Sequence, residues 1–336
     1  MNQMLPRPRF WAQTAAQMKT RFTMFGHTMI LMLLYLIATT AAGMVLMVPM
    51  FLWLMSTQSE TILESMSAGL PTQELLLKLL AETPDWMLLA SLFATAGAVG
   101  FAAVFYCRKF QKRDLASMGL GREGAFAEYL LGFVFGLVLF GSITAIGVAA
   151  GGFRLGAWSP TPARLLIALA ALLGCAARGA ALELLFRGYY APSVGARYPV
   201  VLALIASTLL PGVLEAADSL LSMTVLNSLL LGLLLGIWVL KRGSLWGACA
   251  IHGAWSFVGT FLLDFAEAGS HGTLGLIPVD TDAYRPLLTG GEYGPEASIC
   301  ATVVLLAGLG VVLALRPKDP AEDQSLPEDE RPENNL

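Results

Sequence analysis

Charge is what this sequence has least of. Only 13% of its 336 residues are Asp, Glu, Lys or Arg, against about 25% in ordinary soluble domains. The net charge is −3, so the chain lacks the basic excess that nucleic-acid binding requires, and no nucleic-acid partner is expected. Histidine occurs three times and cysteine four times. Cys107, Cys175, Cys249 and Cys300 form no CxxC pair, which argues against a disulfide framework or a cysteine metal site and for small buried hydrophobes. No repeat of fixed period is present, so a solenoid or an array is excluded.

Apolar residues fill the space that charge leaves, at 56% of the chain. A helix crossing a bilayer needs about 20 consecutive apolar residues. Eight stretches qualify or come close: 29–55, 86–107, 129–151, 163–186, 199–215, 220–240, 246–263 and 297–315. The fifth is short, and Asp218 separates it from the sixth by a tight turn. The first is too long and starts too far in for a cleaved signal peptide. The expected fold class is therefore an all-α, polytopic membrane protein of about eight transmembrane helices, with its domain over residues 29–316. Residues 1–28 form a basic cytoplasmic segment. Within it, Trp11, Met18 and Phe22 recur at helical spacing beside Arg9, Lys19 and Arg21, which fits an interfacial helix and equally a basic flank of the first span. The tail 317–336, "PKDPAEDQSLPEDERPENNL", is rich in proline and acid, and disorder is expected there.

Lys and Arg in the loops set the orientation. Arg7, Arg9, Lys19 and Arg21 precede the first span, and "RKFQKR" ends the second. Arg187 and Arg197 bracket the 188–198 loop, Lys241 and Arg242 follow the sixth span, and Arg316 and Lys318 follow the last. The 56–85 and 264–296 loops are acid-rich instead. Both termini are therefore expected in the cytoplasm, with the chain in a cell's inner membrane and the lipid bilayer as its first partner.

Ionisable residues inside such spans are costly, roughly 2.5–3.5 kcal/mol at the bilayer centre on insertion scales, and mark functional sites by default. In "GAALELLFRGYY", residues 179–190, Glu183 and Arg187 stand i, i+4 on one face with the acid first, the favourable order for a helix pair. Spacing alone allows them to be a simple interfacial anchor. Arg178 lies deeper and offers Glu183 a second cationic partner. "IASTLLPGVLEAAD" ends the fifth span with Glu215. "GSLWGACAIHGAWSF" carries His252 and Ser256, again i, i+4. Three polar islands on neighbouring spans can converge on one cavity holding two carboxylates, an imidazole and a hydroxyl.

These segments resemble the motifs of one family, the CPBP intramembrane glutamic endopeptidases (CAAX protease and bacteriocin-processing, or Abi). "LELLFRGYY" resembles the first motif, EExxxR, often seen as EELLFRG. "STLLPGVLE" aligns with the second, FxxxH. "GSLWGACAIHGAWSF" resembles the third, HxxxN, and "LTGGEYGPEAS" resembles a tail common in bacterial members. The resemblance covers about residues 100–316 and implies a CPBP-type helical bundle acting on membrane-bound or lipidated peptides. It also implies roles. The first glutamate and the second-motif histidine activate a water, the third-motif pair stabilises the oxyanion, and the second glutamate and the arginine support the site.

The departures fall on the water-activating half. Leu182 stands at the first glutamate, Glu215 at the second-motif histidine, Pro211 at its phenylalanine, and Ser256 at the third-motif asparagine. Glu183, Arg187 and His252 are kept. Leucine accepts no proton, and a positioned base contributes about 10²–10⁴-fold, so impaired or lost proteolysis is expected. The candidate catalytic residues are Glu183, Glu215, His252 and Ser256, with Arg187 and Arg178 in support. No cofactor is expected; the remaining metal candidate is an open site of Glu183, Glu215 and His252. The alternatives are a peptidase with its base relocated to Glu215, a protease-dead scaffold for a membrane partner, and a transporter; the last lacks the paired broken helices of matching halves. One tension follows from length. A 16-residue helix rises about 24 Å, which sets Glu215 near the outer face, away from Glu183 and His252, unless the cavity is deep.

Overall fold

The computed structural model describes residues 5–18, 22–69, 71, 75, 79, 83–158, 160–215, 222–265, 275–282 and 284–318, the side chains of 66, 213–215 and 292 excepted. Lys19, Arg21, Asp218 and most of the C-terminal tail lie outside the described residues. The helices that carry the argument are α1 (Arg9–Gln17), α2 (Met24–Thr57), α3 (Asp85–Lys109), α4 (Ala125–Ala149), α5 (Pro162–Glu183), α6 (Val200–Glu215), α7 (Met223–Arg242), α8 (Trp246–Phe257) and α9 (Ile299–Ala314). Helix α5 does not stop at Glu183. It widens into a π-helix, Leu184–Tyr190, and continues as Ala191–Gly195.

Each of the eight apolar stretches of the sequence forms helix. Five are long and apolar enough to cross a membrane by length and composition: Met24–Thr57, Asp85–Lys109, Ala125–Ala149, Pro162–Gly195 and Met223–Arg242. Val200–Gly212 and Ile299–Ala314 are shorter apolar helices. Their outer faces carry many exposed aliphatic and aromatic side chains, among them Leu33, Leu36, Phe101, Phe126 and Leu166. Water would penalise such a belt, whereas lipid accepts it. The chain is a multi-pass membrane protein.

Helix ends follow local chemistry. Thr23, Thr161, Ser222 and Ser298 each cap a helix, accepting from a backbone N–H three residues on. Gly243, at φ 64°, ends α7 in the left-handed conformation that glycine adopts without strain. Helix α8 lies between α4 and α5, while α7 packs on α6 and α9. Small residues make these approaches close. A Cβ on Gly132 would strike the backbone of Gly247, and one on Gly136 would meet the Ile251 carbonyl at 2.8 Å.

A short three-stranded sheet lies beyond one end of the bundle, an element absent from the all-α expectation. Phe153–Leu155 pairs antiparallel with Ile277–Thr281, which pairs in parallel with Leu263–Phe265. At the other end, α1 turns its apolar side to the bundle. Phe10, Trp11 and Thr14 are buried, and the Trp11 ring lies where a Cβ on Gly195 would be. Met18 is buried too, whereas Phe22 is 44% exposed, so the apolar stripe read over residues 9–24 does not act as one face.

Candidate functional site

The approach of α5 to α8 builds the site. A Cβ on Gly179 would lie 2.8 Å from the Gly253 nitrogen, and one on Gly253 would lie 2.9 Å from the Ala176 Cα. Two backbones this close bring the next side chains along each helix into contact. Those side chains are Glu183 and His252.

Glu183 is fully buried. Its Oε1 accepts from Arg187 Nη1 at 3.0 Å and lies 2.9 Å from His252 Nδ1. Arg187 Nη2 also donates to the Gly232 carbonyl of α7 at 3.0 Å. Gly232 is needed at this point, because a Cβ there would meet Arg187 Nη2 at 3.1 Å and Thr208 Cγ2 of α6 at 3.3 Å. Four helices thus meet at one ion pair. The pair is an interior one, with side-chain exposures of 4% and 0%, so the simple interfacial anchor that spacing allowed is not what forms.

Three buried polar atoms around this pair have no hydrogen-bond partner: Glu183 Oε2, Arg187 Nε and Thr208 Oγ1. An unmatched buried polar group costs about 1–3 kcal/mol. Two of the three belong to the ion pair itself, so the pair keeps unused hydrogen-bonding capacity in the interior. The π-helix points the same way, since such turns occur preferentially at functional sites.

His252 has its tautomer dictated by its neighbours. Glu183 Oε1 already accepts from a guanidinium, so Nδ1 must donate to it, and a neutral imidazole then keeps its lone pair on Nε2. The His252 side chain is 17% exposed. Ser256 follows one turn later on α8 and is half-buried.

The sequence candidates thus separate. Glu183, Arg187 and His252 come together, and Ser256 lies one turn along. Arg178 is half-buried but is not among the ion partners of Glu183; the second partner is His252. Leu182 is 8% exposed and belongs to the apolar core. Glu215 is the last residue of α6, with its side chain outside the described residues. The α6 residue at the height of the ion pair is Thr208, seven positions earlier, about 10 Å along the helix. Among the described residues no group of three or more His, Cys, Asp or Glu could hold a metal ion.

Thr208 and Gly232 were not singled out from sequence. A threonine and a glycine in leucine-rich helices carry no chemical signal until a buried guanidinium is found between them. The "GGEYGPEAS" tail takes a structural place. Asn227 Nδ2 donates to the carbonyls of Glu296 and Ser298, and Trp255 Nε1 donates to Glu296 Oε1. This segment therefore fastens α7 and α8 to the start of α9.

A buried carboxylate, guanidinium and imidazole on adjacent helices define the class: a polytopic membrane protein with a polar cluster in its interior. Residues 162–258 match the family described as Rce1-like, type II CAAX prenyl endopeptidase Rce1-like. The match covers less than a third of the chain and falls on the segments whose first and third motifs resemble the same type of family. The match runs from α5 into the turn after α8 and contains every residue of the cluster. No curated protein and no solved structure matches the chain.

Proposed function

We propose that the protein engages a membrane-associated peptide at the Glu183–Arg187–His252 cluster and that its proteolysis is impaired or lost. One observation carries this reading. Glu183, the carboxylate that the first motif retains, is wholly buried with its Oε1 held by both Arg187 and His252, and the position before it is a core leucine. That motif leaves no carboxylate to activate a water. The group that would polarise a peptide carbonyl is the Ser256 hydroxyl, one turn along α8 from His252. The test is photocrosslinking in lipid vesicles with a peptide ending in a prenylated CAAX sequence and a crosslinker at position 256. The expected result is a crosslink to full-length peptide. A chain that crosslinks no such peptide would leave this reading without support and favour a scaffold or transport role.

A second reading is favoured by the His252–Glu183 contact itself. A carboxylate that orients an imidazole is the support a general base needs. With Nε2 free, His252 would take a proton from water, the hydroxide would attack the peptide carbonyl, and the proton would pass to the departing amine. This residual route requires Glu183 and His252 but not Glu215. The alternative with its base at Glu215 has the opposite dependence.

The same reading places the chain in the inner membrane with both termini in the cytoplasm. It is supported by the loop charges and by contacts that gather one end of the bundle. Arg7 Nη2 donates to the Gly195 carbonyl, Thr14 to the Ser117 carbonyl, and the Leu245 N–H to the Gly119 carbonyl. A cysteine replacing Lys112, at this end, is expected to resist membrane-impermeant thiol reagents in intact cells, whereas one near Tyr284 is expected to react. Labelling at 112 from outside would invert the topology.

A further inference from the structure

Among the described residues, the loop after α3 holds the most deeply buried cation outside the cluster. Arg113 is 2% exposed. Among the described residues its hydrogen-bond partners are neutral, and the carboxylate of the adjacent Asp114 attracts it without bonding to it. Nη2 donates to the carbonyls of Ser117 at 2.7 Å and Gly188 at 2.8 Å. Nη1 donates to Gln111 Oε1 at 3.0 Å and Ser193 Oγ at 3.4 Å. Burying a cation is expensive unless the geometry rewards it. The backbone is also forced here: the preceding residue, Lys112, has φ 59°, the one positive value outside glycine among the described residues, a conformation that a side chain disfavours.

The object of this contact is the π-helix. A π-turn lengthens the hydrogen-bonded ring and displaces carbonyls from their helical partners. Gly188 lies within it, one residue after Arg187, and its carbonyl is taken by Arg113. The next carbonyl, Tyr189, accepts from Ser193 Oγ at 2.6 Å, and Ser193 Oγ in turn accepts from Gln111 Nε2 at 3.2 Å. Side chains of one loop therefore occupy two successive carbonyls of the π-turn, directly or through Ser193. Thr14 of α1 closes the arrangement from outside by donating to the same Ser117 carbonyl at 2.9 Å.

We propose that Arg113 is a positioning residue for the cluster: it holds the π-turn in register and thereby fixes where Glu183 and Arg187 meet His252. The proposal rests on reading that cluster as the functional site. Its test follows the state of an imidazole rather than turnover, so it fails independently of whether any peptide is cleaved.

The measurement is ¹⁵N NMR of histidine-labelled protein in lipid nanodiscs. The chain has three histidines, and His252→Asn assigns the signal. In the wild type the Nδ1 resonance reports a proton bonded to a carboxylate. In Arg113→Gln that signature is expected to be lost, with His252 sampling both tautomers. Arg113→Lys has one ammonium that cannot span the Ser117 and Gly188 carbonyls as a guanidinium does, and an intermediate spectrum is expected. Thr14→Val is expected to shift the signal the same way by less. A folded Arg113→Gln protein with the wild-type His252 spectrum, even at a lower melting temperature, would make Arg113 merely structural and overturn the proposal. Should that variant not accumulate, a wild-type spectrum in Arg113→Lys overturns it equally. Were neither Arg113 variant to fold, an unshifted signal in Thr14→Val would do the same.

Discussion

The double change Leu182→Glu with Glu215→His is expected to confer cleavage of a prenylated CAAX peptide on a chain that otherwise cleaves poorly or not at all. The argument is one of missing groups. A positioned base contributes about 10²–10⁴-fold, and that is the gain to look for. Leu182→Glu alone is not expected to suffice. It sets a second carboxylate beside Glu183 on one helix, with the carboxylate at 215 as a possible third, and crowded like charges hold each other protonated. Replacing Glu215 by histidine relieves the crowding and supplies the acid–imidazole combination. The new activity must depend on His252. A folded but silent double variant would point to Ser256, which Ser256→Asn then tests. If that also fails, residue 215 is not at the site.

Breaking the central ion pair is expected to have the largest effect on stability. Arg187→Ala leaves Glu183 buried with only His252, and it removes the guanidinium's bond to the Gly232 carbonyl of α7. Removing one partner of a buried pair costs about 3–5 kcal/mol, against under about 1 kcal/mol for an exposed one. The melting temperature in detergent is expected to drop sharply and the yield of folded protein with it. Glu183→Gln is milder, because the amide oxygen still accepts from Arg187. An Arg187→Ala protein melting like the wild type would mean that the pair is solvated and that the four-helix junction does not depend on it.

Much of this was legible in the sequence. Apolar run length placed every long helix, since a bilayer-spanning segment must satisfy its own backbone and advertises itself by composition. Spacing put Glu183 and Arg187 on one face and His252 and Ser256 on another. What it could not supply was the distance between those faces, which depends on Gly179 and Gly253 letting two backbones touch. Arg113 was hidden differently. In "RKFQKR" it reads as one more cytoplasmic cation, and nothing local separates a buried guanidinium from its solvated neighbours. The π-turn was equally invisible, because "LLFRGYY" has the same apolar character in a π-helix as in an α-helix. The short sheet was missed because its strands are three to five residues long and one of its two pairings joins segments more than a hundred residues apart.

The most direct test of the account is the wild-type chain itself, reconstituted in lipid vesicles with a prenylated CAAX peptide and followed for release of the C-terminal fragment. The account predicts little or no release, with any residual rate lost in His252→Gln and Glu183→Gln and unaffected by Glu215→Gln. Robust release abolished by Glu215→Gln would contradict it, returning the missing base to the end of α6 and making the chain an active peptidase.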